Sequence, residues 1–241
     1  MNNTALITGA SKRIGRSVAE HLAAKGWNVI LHFNTSEKPA SELVSKLANK
    51  FPKQNFQTIK ANLSISDEVE TLIKRAVNMY GKFDLLINNA SVFDPGHISE
   101  TNSVLLNSQL DVNLKAPFIL MRDFKKYCGS GNIINFVDTR IKTNKSNFTA
   151  YSLSKKALWE LTKMAALEFA PDIRVNAIAP GVTLAPTDRD ESYLNNLAKQ
   201  IPMQKPGGVE PIFKSLDYIL ENDHLTGQLL FADGGENLGK N

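Results

Sequence analysis

Short apolar runs alternate along the chain with longer stretches in which apolar residues recur every three to four positions. The runs predict strands at Thr4–Thr8, Asn28–Phe33, Phe56–Lys60, Leu85–Asn88, Asn132–Val137, Arg174–Ile178 and Gln228–Phe231. The segments between them predict helices starting near Arg13, Pro39, Ser66, Thr101, Thr149 and Gly208. Ser66 followed by Asp67 and Glu68 has the chemistry of a helix start. Strands and helices alternating in this way predict one doubly wound α/β domain over residues 1–241, a parallel sheet with helices on both faces. The stretch from Val182 to Gly207 has no clear period, is rich in Pro, Asp and Asn, and follows the end of a strand. It is expected to be a substrate lid, with a disordered segment as the alternative.

A length of 241 residues and 42% apolar content suffice for one large core. No apolar run reaches the roughly 18 residues of a membrane span, and the amino terminus lacks the zones of a signal peptide. A cytoplasmic location without a membrane partner is therefore expected. Cys128 is the only cysteine, and no CxxC or clustered His/Cys pattern occurs, so neither a disulfide nor a metal is expected. The net charge of +4 arises from 28 cations interleaved with 24 acids, which argues against nucleic acid as a partner. One local cluster stands out, Lys12, Arg13 and Arg16.

That cluster lies where a phosphate would bind. The first predicted strand is followed by Thr8-Gly9-Ala10-Ser11-Lys12-Arg13-Ile14-Gly15, which runs into a helix containing Val18, Ala19 and Leu22. Gly9 permits a tight turn, Gly15 allows close helix–strand packing, and the amides at the helix start suit a pyrophosphate. This is a dinucleotide site of the Rossmann type. NAD sites usually carry an Asp or Glu at the end of the second strand, where it repels a 2′-phosphate. Here that strand ends His32-Phe33-Asn34-Thr35-Ser36, with no carboxylate. Asn34, Thr35 and Ser36 can donate to a phosphate that Lys12 and Arg13 approach from the glycine turn, so NADP is the expected cofactor. His32 and Phe33 belong to the same strand end, His32 either as a half-buried strand residue or as a cofactor neighbour. His21, His97 and His224 have no partner pattern that points to catalysis.

Together with Asn88-Asn89-Ala90, Asn113, Tyr151-Ser152-Leu153-Ser154-Lys155 and Pro180-Gly181, these residues resemble the short-chain dehydrogenase/reductase family over essentially the whole chain. The resemblance implies a seven-stranded sheet, hydride transfer and a homo-oligomer, commonly a tetramer and otherwise a dimer, packed through the helices of Asn113 and Tyr151. It implies cofactor contacts from Asn89, Ala90, Pro180, Gly181 and Val182, with Lys155 holding the nicotinamide ribose. It also gives Asn113 a place in a proton relay behind Lys155; by itself, a helical Asn reads as exposed and idle. Asn62 stands where many members have an Asp for the adenine amino group, while Leu63 keeps the register.

The Tyr-x-x-x-Lys spacing has a chemistry of its own. Residues four apart share a helix face, so Tyr151 and Lys155 can enter one pocket. An ammonium at about 4 Å, in an effective dielectric of about 20, favours a phenolate by roughly 4 kcal/mol before desolvation. Tyr151 is thereby expected to serve as general acid; a surface Tyr and Lys on an amphipathic helix is the alternative.

Most family members carry a Ser thirteen residues before the Tyr, donating to a substrate carbonyl, where this chain has Asp138 followed by Thr139. An ionised carboxylate only accepts hydrogen bonds, so it opposes an alkoxide and pushes Tyr151 upward. Asp138 fits instead if it carries a proton that can be passed on or faces a substrate with N–H donors, and reduction of a ring C=N needs both, because carbon receives hydride while nitrogen must gain a proton. Asp138, Ser91 after Asn88-Asn89-Ala90, and Lys12-Arg13-Ile14-Gly15 resemble the pteridine reductase branch, including the dihydromonapterin reductase type. That resemblance implies that Phe93 stacks on the pterin and that Ser91 and Arg13 reach pterin and cofactor phosphate, with simple core packing left open for Phe93. The expected function is NADPH-dependent reduction of a small pterin-like molecule, with Asp138, Tyr151, Lys155 and Asn113 as the catalytic set. A 3-oxoacyl-[acyl-carrier-protein] or other carbonyl reductase, and a catalytically silent NADP-binding sensor, are the alternatives.

Overall fold

The computed structural model describes residues 3–185 and 191–239. Its strands are β1 (Thr4–Ile7), β2 (Asn28–Phe33), β3 (Phe56–Lys60), β4 (Leu85–Asn88), β5 (Gly131–Phe136), β6 (Ile173–Pro180) and β7 (Leu229–Ala232). They form one sheet in the order β3-β2-β1-β4-β5-β6-β7, and every neighbouring pair is parallel. Ala5 of β1 is in register with Val29 of β2 on one side and Leu85 of β4 on the other, so the strand order reverses between β1 and β4. The crevice outside the carboxyl ends at such a reversal is where doubly wound sheets bind ligands.

The helices are α1 (Arg13–Ala24), α2 (Glu37–Lys50), α3 (Ser66–Tyr80), α4 (Ser103–Leu110), α5 (Ala116–Tyr127), α6 (Thr149–Phe169), α7 (Glu191–Ala198) and α8 (Glu210–Glu221). A π-helical turn, Asp111–Lys115, joins α4 to α5. β1 and β4 are buried at every position because helices cover both faces of the sheet. Leu6 packs into one layer with Leu72, Leu120 and Phe124, whereas Ala5 and Ile7 enter the other with Val18, Leu43 and Leu216. This is the alternation that a period of two imposes.

Every expected strand is present, with ends displaced by one or two residues at most. The single helix expected from near Thr101 is α4, the π turn and α5 in unbroken succession. The segment read as aperiodic contains α7, too short to set a clear period and burying Ala198 among its described side chains. Residues 186–190 of the expected lid lie outside the described residues.

Candidate active site

A cavity of about 480 Å³ opens at the carboxyl ends of β1, β4, β5 and β6. Its floor is a hydrogen-bonded weld between the first and fourth strands. Thr8 Oγ1 accepts the N–H groups of Asn89 and Ala90 at 2.9 and 3.0 Å, and Asn89 Nδ2 donates to Thr8 O at 2.8 Å. Gly9 adopts φ +64°, and a Cβ on Gly15 would fall 2.3 Å from the Gly9 carbonyl oxygen. Both positions therefore demand glycine. Immediately after the turn, α1 begins with no side-chain cap and no acid in its first turn, which leaves its positive end open to an anion.

His32 supports this turn from below. Its Nδ1 accepts the Gly9 N–H at 3.1 Å and its Nε2 donates to Ala61 O at 3.0 Å, so both ring nitrogens are engaged inside the protein. Burial pushes its pKa down to about 4, keeping the neutral form that can accept from Gly9. The strand-residue reading of His32 is thus the one its contacts support.

Of the expected cofactor residues, Gly9, Lys12, Arg13, Ile14, Gly15, Asn89, Ala90, Tyr151, Lys155, Pro180 and Gly181 line the cavity; so do Ser91, Phe93 and Asp138 of the expected substrate residues. Ser11, His32, Phe33, Asn34, Thr35, Ser36, Asn62, Leu63 and Val182 stand outside that lining. Phe33 and Leu63 are core residues, whereas Asn34 and Thr35 are exposed ahead of α2. Asn62 Oδ1 accepts the Ser64 N–H and hydroxyl at 3.0 and 2.8 Å, closing a local turn. Arg13 borders the cavity, but its guanidinium donates to Ala185 O and Leu184 O at 2.8 and 3.1 Å, clasping the glycine turn to the segment that leaves β6.

The helix α6 carries Tyr151 and Lys155 against the end of β5. The Tyr151 hydroxyl donates to Asp138 Oδ2 at 2.7 Å, and Asp138 Oδ1 accepts the Arg140 N–H at 2.8 Å. Lys155 Nζ donates to Phe136 O at 2.8 Å and lies 5.8 Å from the Tyr151 ring centroid. The expected direct pairing of ammonium and phenol is therefore replaced by a phenol–carboxylate bond. Burial first, then the charge of Asp138 and its hydrogen bond, raise the Tyr151 pKa well above the usual phenol value, with the charge of Arg140 opposing. Burial lowers Lys155 to about 8, with Asp138 opposing. Tyr151 keeps its proton, the state a general acid requires.

Asn113 lies within the π turn, fully buried. It donates to Val92 O at 3.0 Å and Ser154 Oγ at 3.1 Å, and accepts from Ser91 Oγ and the Val92 N–H, both at 3.0 Å. It thus locks the Ser91–Phe93 loop to α6, and no hydrogen bond among the described residues joins it to Lys155. Phe93 is 51% exposed, which removes the core-packing alternative. It stacks on Phe148 with centroids 4.1 Å apart and meets Tyr151 edge-on at 4.5 Å.

Three neighbours of the centre carried no motif in the sequence. Arg140 and Phe148 belong to the connection between β5 and α6, and the Arg140 Cζ lies 4.6 Å from the Phe148 ring centroid. Glu236 lies in a 3-10 turn after β7; burial first, then the charges of Asp138 and Asp233, push its pKa up, with Thr139 and Lys145 opposing. Among the described residues, no group of three or more His, Cys, Asp or Glu could hold a metal, and no helix is long and apolar enough to cross a membrane.

The family model for short chain dehydrogenases matches residues 3–196. The chain is 32% identical to the uncharacterized oxidoreductase YmfI of Bacillus subtilis, covering 98% of this chain and 99% of that one. It is 30% identical to 3-oxoacyl-[acyl-carrier-protein] reductase FabG of Staphylococcus epidermidis over 98% of this chain and 99% of that one. Pteridine reductase 1 of Leishmania tarentolae is 28% identical, with 97% and 96% covered. Among solved structures, FolM alternative dihydrofolate reductase 1 of Brucella canis, complexed with NADP, superposes with a TM-score of 0.91 at 33% identity, over 99% of this chain and 95% of that one. The Brucella suis FolM complex with NADP gives 0.93 at 32% identity, over 100% and 97%. A matching family model over most of the chain, relatives above 30% identity along its whole length, and a shared seven-stranded parallel sheet agree: the chain belongs to the short-chain dehydrogenase/reductase family.

Proposed function

We propose that this chain is an NADPH-dependent reductase of a pteridine ring, converting a dihydropterin to a tetrahydropterin. The observation that carries the reading is the Tyr151–Asp138 hydrogen bond of 2.7 Å, at the position where a carbonyl reductase of the family places a hydroxyl donor. The NADP-bound FolM structures and the pteridine reductase relative support it.

The glycine turn fits a dinucleotide phosphate, given the uncapped start of α1, exposed Lys12 and Arg13, and no carboxylate among Asn34, Thr35 and Ser36. Tyr151 and Lys155 would border the nicotinamide end, beside Pro180 and Gly181. NADPH supplies the hydride when bound. Tyr151 and Asp138 hold one proton between them tightly, because a phenolate 2.7 Å from a carboxylate is strongly disfavoured. A basic ring nitrogen placed beside Tyr151 takes that proton as carbon receives hydride. A proton entering from water through Asp138, only partly buried, restores the Tyr151 hydroxyl as the ring takes its proton, so phenolate and carboxylate do not persist side by side, and Lys155 and Arg140 offset the charge during the transfer. Phe93 offers an exposed aromatic face for the ring, and Asn113 fixes the loop that presents Phe93 and Ser91.

The FabG relatives favour a second reading, reduction of a 3-oxoacyl thioester. Asp138 counts against it, since a carboxylate beside Tyr151 opposes a developing alkoxide. Exposed Phe118, Met164 and Leu167 on α5 and α6 support self-association through that face. Purified protein is expected to oxidise NADPH with dihydromonapterin, dihydrobiopterin or dihydrofolate. Brisk turnover of acetoacetyl thioesters with none of any pterin would replace this reading with the second.

A further inference from the structure

Resting on the ring-reductase reading, we propose that Arg140 is a specificity-determining residue: it binds a carboxylate carried on a side chain of the substrate, so the site prefers rings with an acidic tail. Arg140 stands two residues beyond Asp138, and its N–H is held by Asp138 Oδ1 at 2.8 Å. The backbone is thereby fixed at the reaction centre while the side chain runs out to the rim. There its Cζ lies 4.6 Å from the Phe148 ring centroid and 5.8 Å from that of Phe93, the exposed ring offered to the substrate.

Among the described residues the guanidinium has a seat and no anionic partner. Nη1 donates to Asn147 Oδ1 at 3.0 Å, and no acid among the described residues forms an ion pair with it. The nearby Asp138 carboxylate is already occupied by Tyr151 and the backbone. A guanidinium presents five donors in a planar fork that matches a carboxylate, and one amide oxygen leaves most of that fork for a ligand. Stacking on aromatic faces orients the fork without neutralising it. The surrounding connection, Thr139 to Lys145, adds Lys142 and Lys145; the acids beside it are Asp138, bonded to Tyr151 and the Arg140 N–H, and Glu236, whose charge Lys145 offsets. A flat ring laid against Phe93 with its reacting edge at Tyr151 directs an outward substituent past Phe148 to Arg140.

The test compares wild type, Arg140→Gln and Arg140→Lys on two rings, dihydrofolate with its glutamate carboxylates and dihydrobiopterin with a neutral side chain. Calorimetric binding of folate and of biopterin to the NADP-loaded protein runs alongside and needs no turnover. Because the charge of Arg140 also acts on Tyr151, both rates can fall together in the variants, and the ratio of kcat/KM values isolates the tail. Arg140→Gln is expected to lower the dihydrofolate-to-dihydrobiopterin ratio about tenfold or more, chiefly through KM, as loss of a charge-assisted hydrogen bond does. Folate binding should weaken by a similar factor relative to biopterin, and Arg140→Lys should recover part of both. An equal fall for the two rings, or a wild type without preference for the acidic tail, overturns the proposal while leaving the ring-reductase reading in place. A wild type that neither binds nor turns over either ring, but reduces acetoacetyl thioesters, overturns both.

Discussion

Replacing Asp138 by Asn removes the carboxylate that holds the Tyr151 hydroxyl at 2.7 Å while keeping an acceptor of the same shape. Two unit charges about 4 Å apart in an effective dielectric of about 20 repel by roughly 4 kcal/mol. Asp138 is only partly buried, and solvent screening at that position roughly halves the figure, to about 2 kcal/mol. Burial is the largest cause of the raised Tyr151 value and persists in the variant, so its phenol should still titrate above the usual range, but below wild type. The assay is alkaline titration followed by phenolate difference absorbance. Four other tyrosines are present, so Asp138→Asn is read against Asp138→Asn/Tyr151→Phe, and wild type against Tyr151→Phe. If Tyr151 titrates at the same pH with and without the carboxylate, the phenol–carboxylate pair is not what holds the proton, and the acid–base argument fails.

His32 should titrate near pH 4 by NMR, with its hydrogen on Nε2. Because its folded value is depressed from 6.5, the contribution of the neutral ring is present above about pH 6.5 and is lost as pH falls through 4, a swing of about 3 kcal/mol that His32→Gln should lack; titration near 6.5 contradicts this. Gly15→Ala places a Cβ 2.3 Å from Gly9 O and 2.5 Å from Asn89 Nδ2. It should cost about 1–3 kcal/mol in denaturant unfolding and weaken NADPH binding by fluorescence titration, and an undisturbed variant would show that the turn has slack. The Glu236 carboxyl is pushed above its ordinary 4.5, so its contribution to stability is lost as pH rises through its folded value. Glu236→Gln should therefore gain stability relative to wild type as pH rises above about 4.5, and a difference that does not change with pH contradicts the assignment.

The sheet was legible because parallel strands covered on both faces must be apolar nearly throughout, as Val29-Ile30-Leu31 is, and because each is followed by a helix with its own period. The glycine turn was legible for a related reason, since Gly9 and Gly15 answer to backbone geometry that lies within one short segment. The π turn at Asn113 was not: apolar periodicity runs through it, and one extra residue per turn leaves no mark in composition. The spacing of Tyr151 and Lys155 correctly placed both side chains at one cavity, yet it could not rank their partners. Asp138 reaches the hydroxyl from another element, and Phe136 O takes the ammonium. Arg140, Phe148 and Glu236 join the site through the connection after β5 and the turn after β7, contacts that depend on the folded arrangement of two segments far apart in sequence.

The central claim is that Asp138 makes this family scaffold a ring reductase. It is tested most directly by the ratio of kcat/KM for a dihydropterin to that for an acetoacetyl thioester, measured with NADPH in wild type and Asp138→Ser. The account predicts a wild-type ratio well above one and a fall of at least about tenfold in the variant, the worth of roughly 1.4 kcal/mol in discrimination at the transition state. A ratio that the substitution leaves unchanged would contradict it.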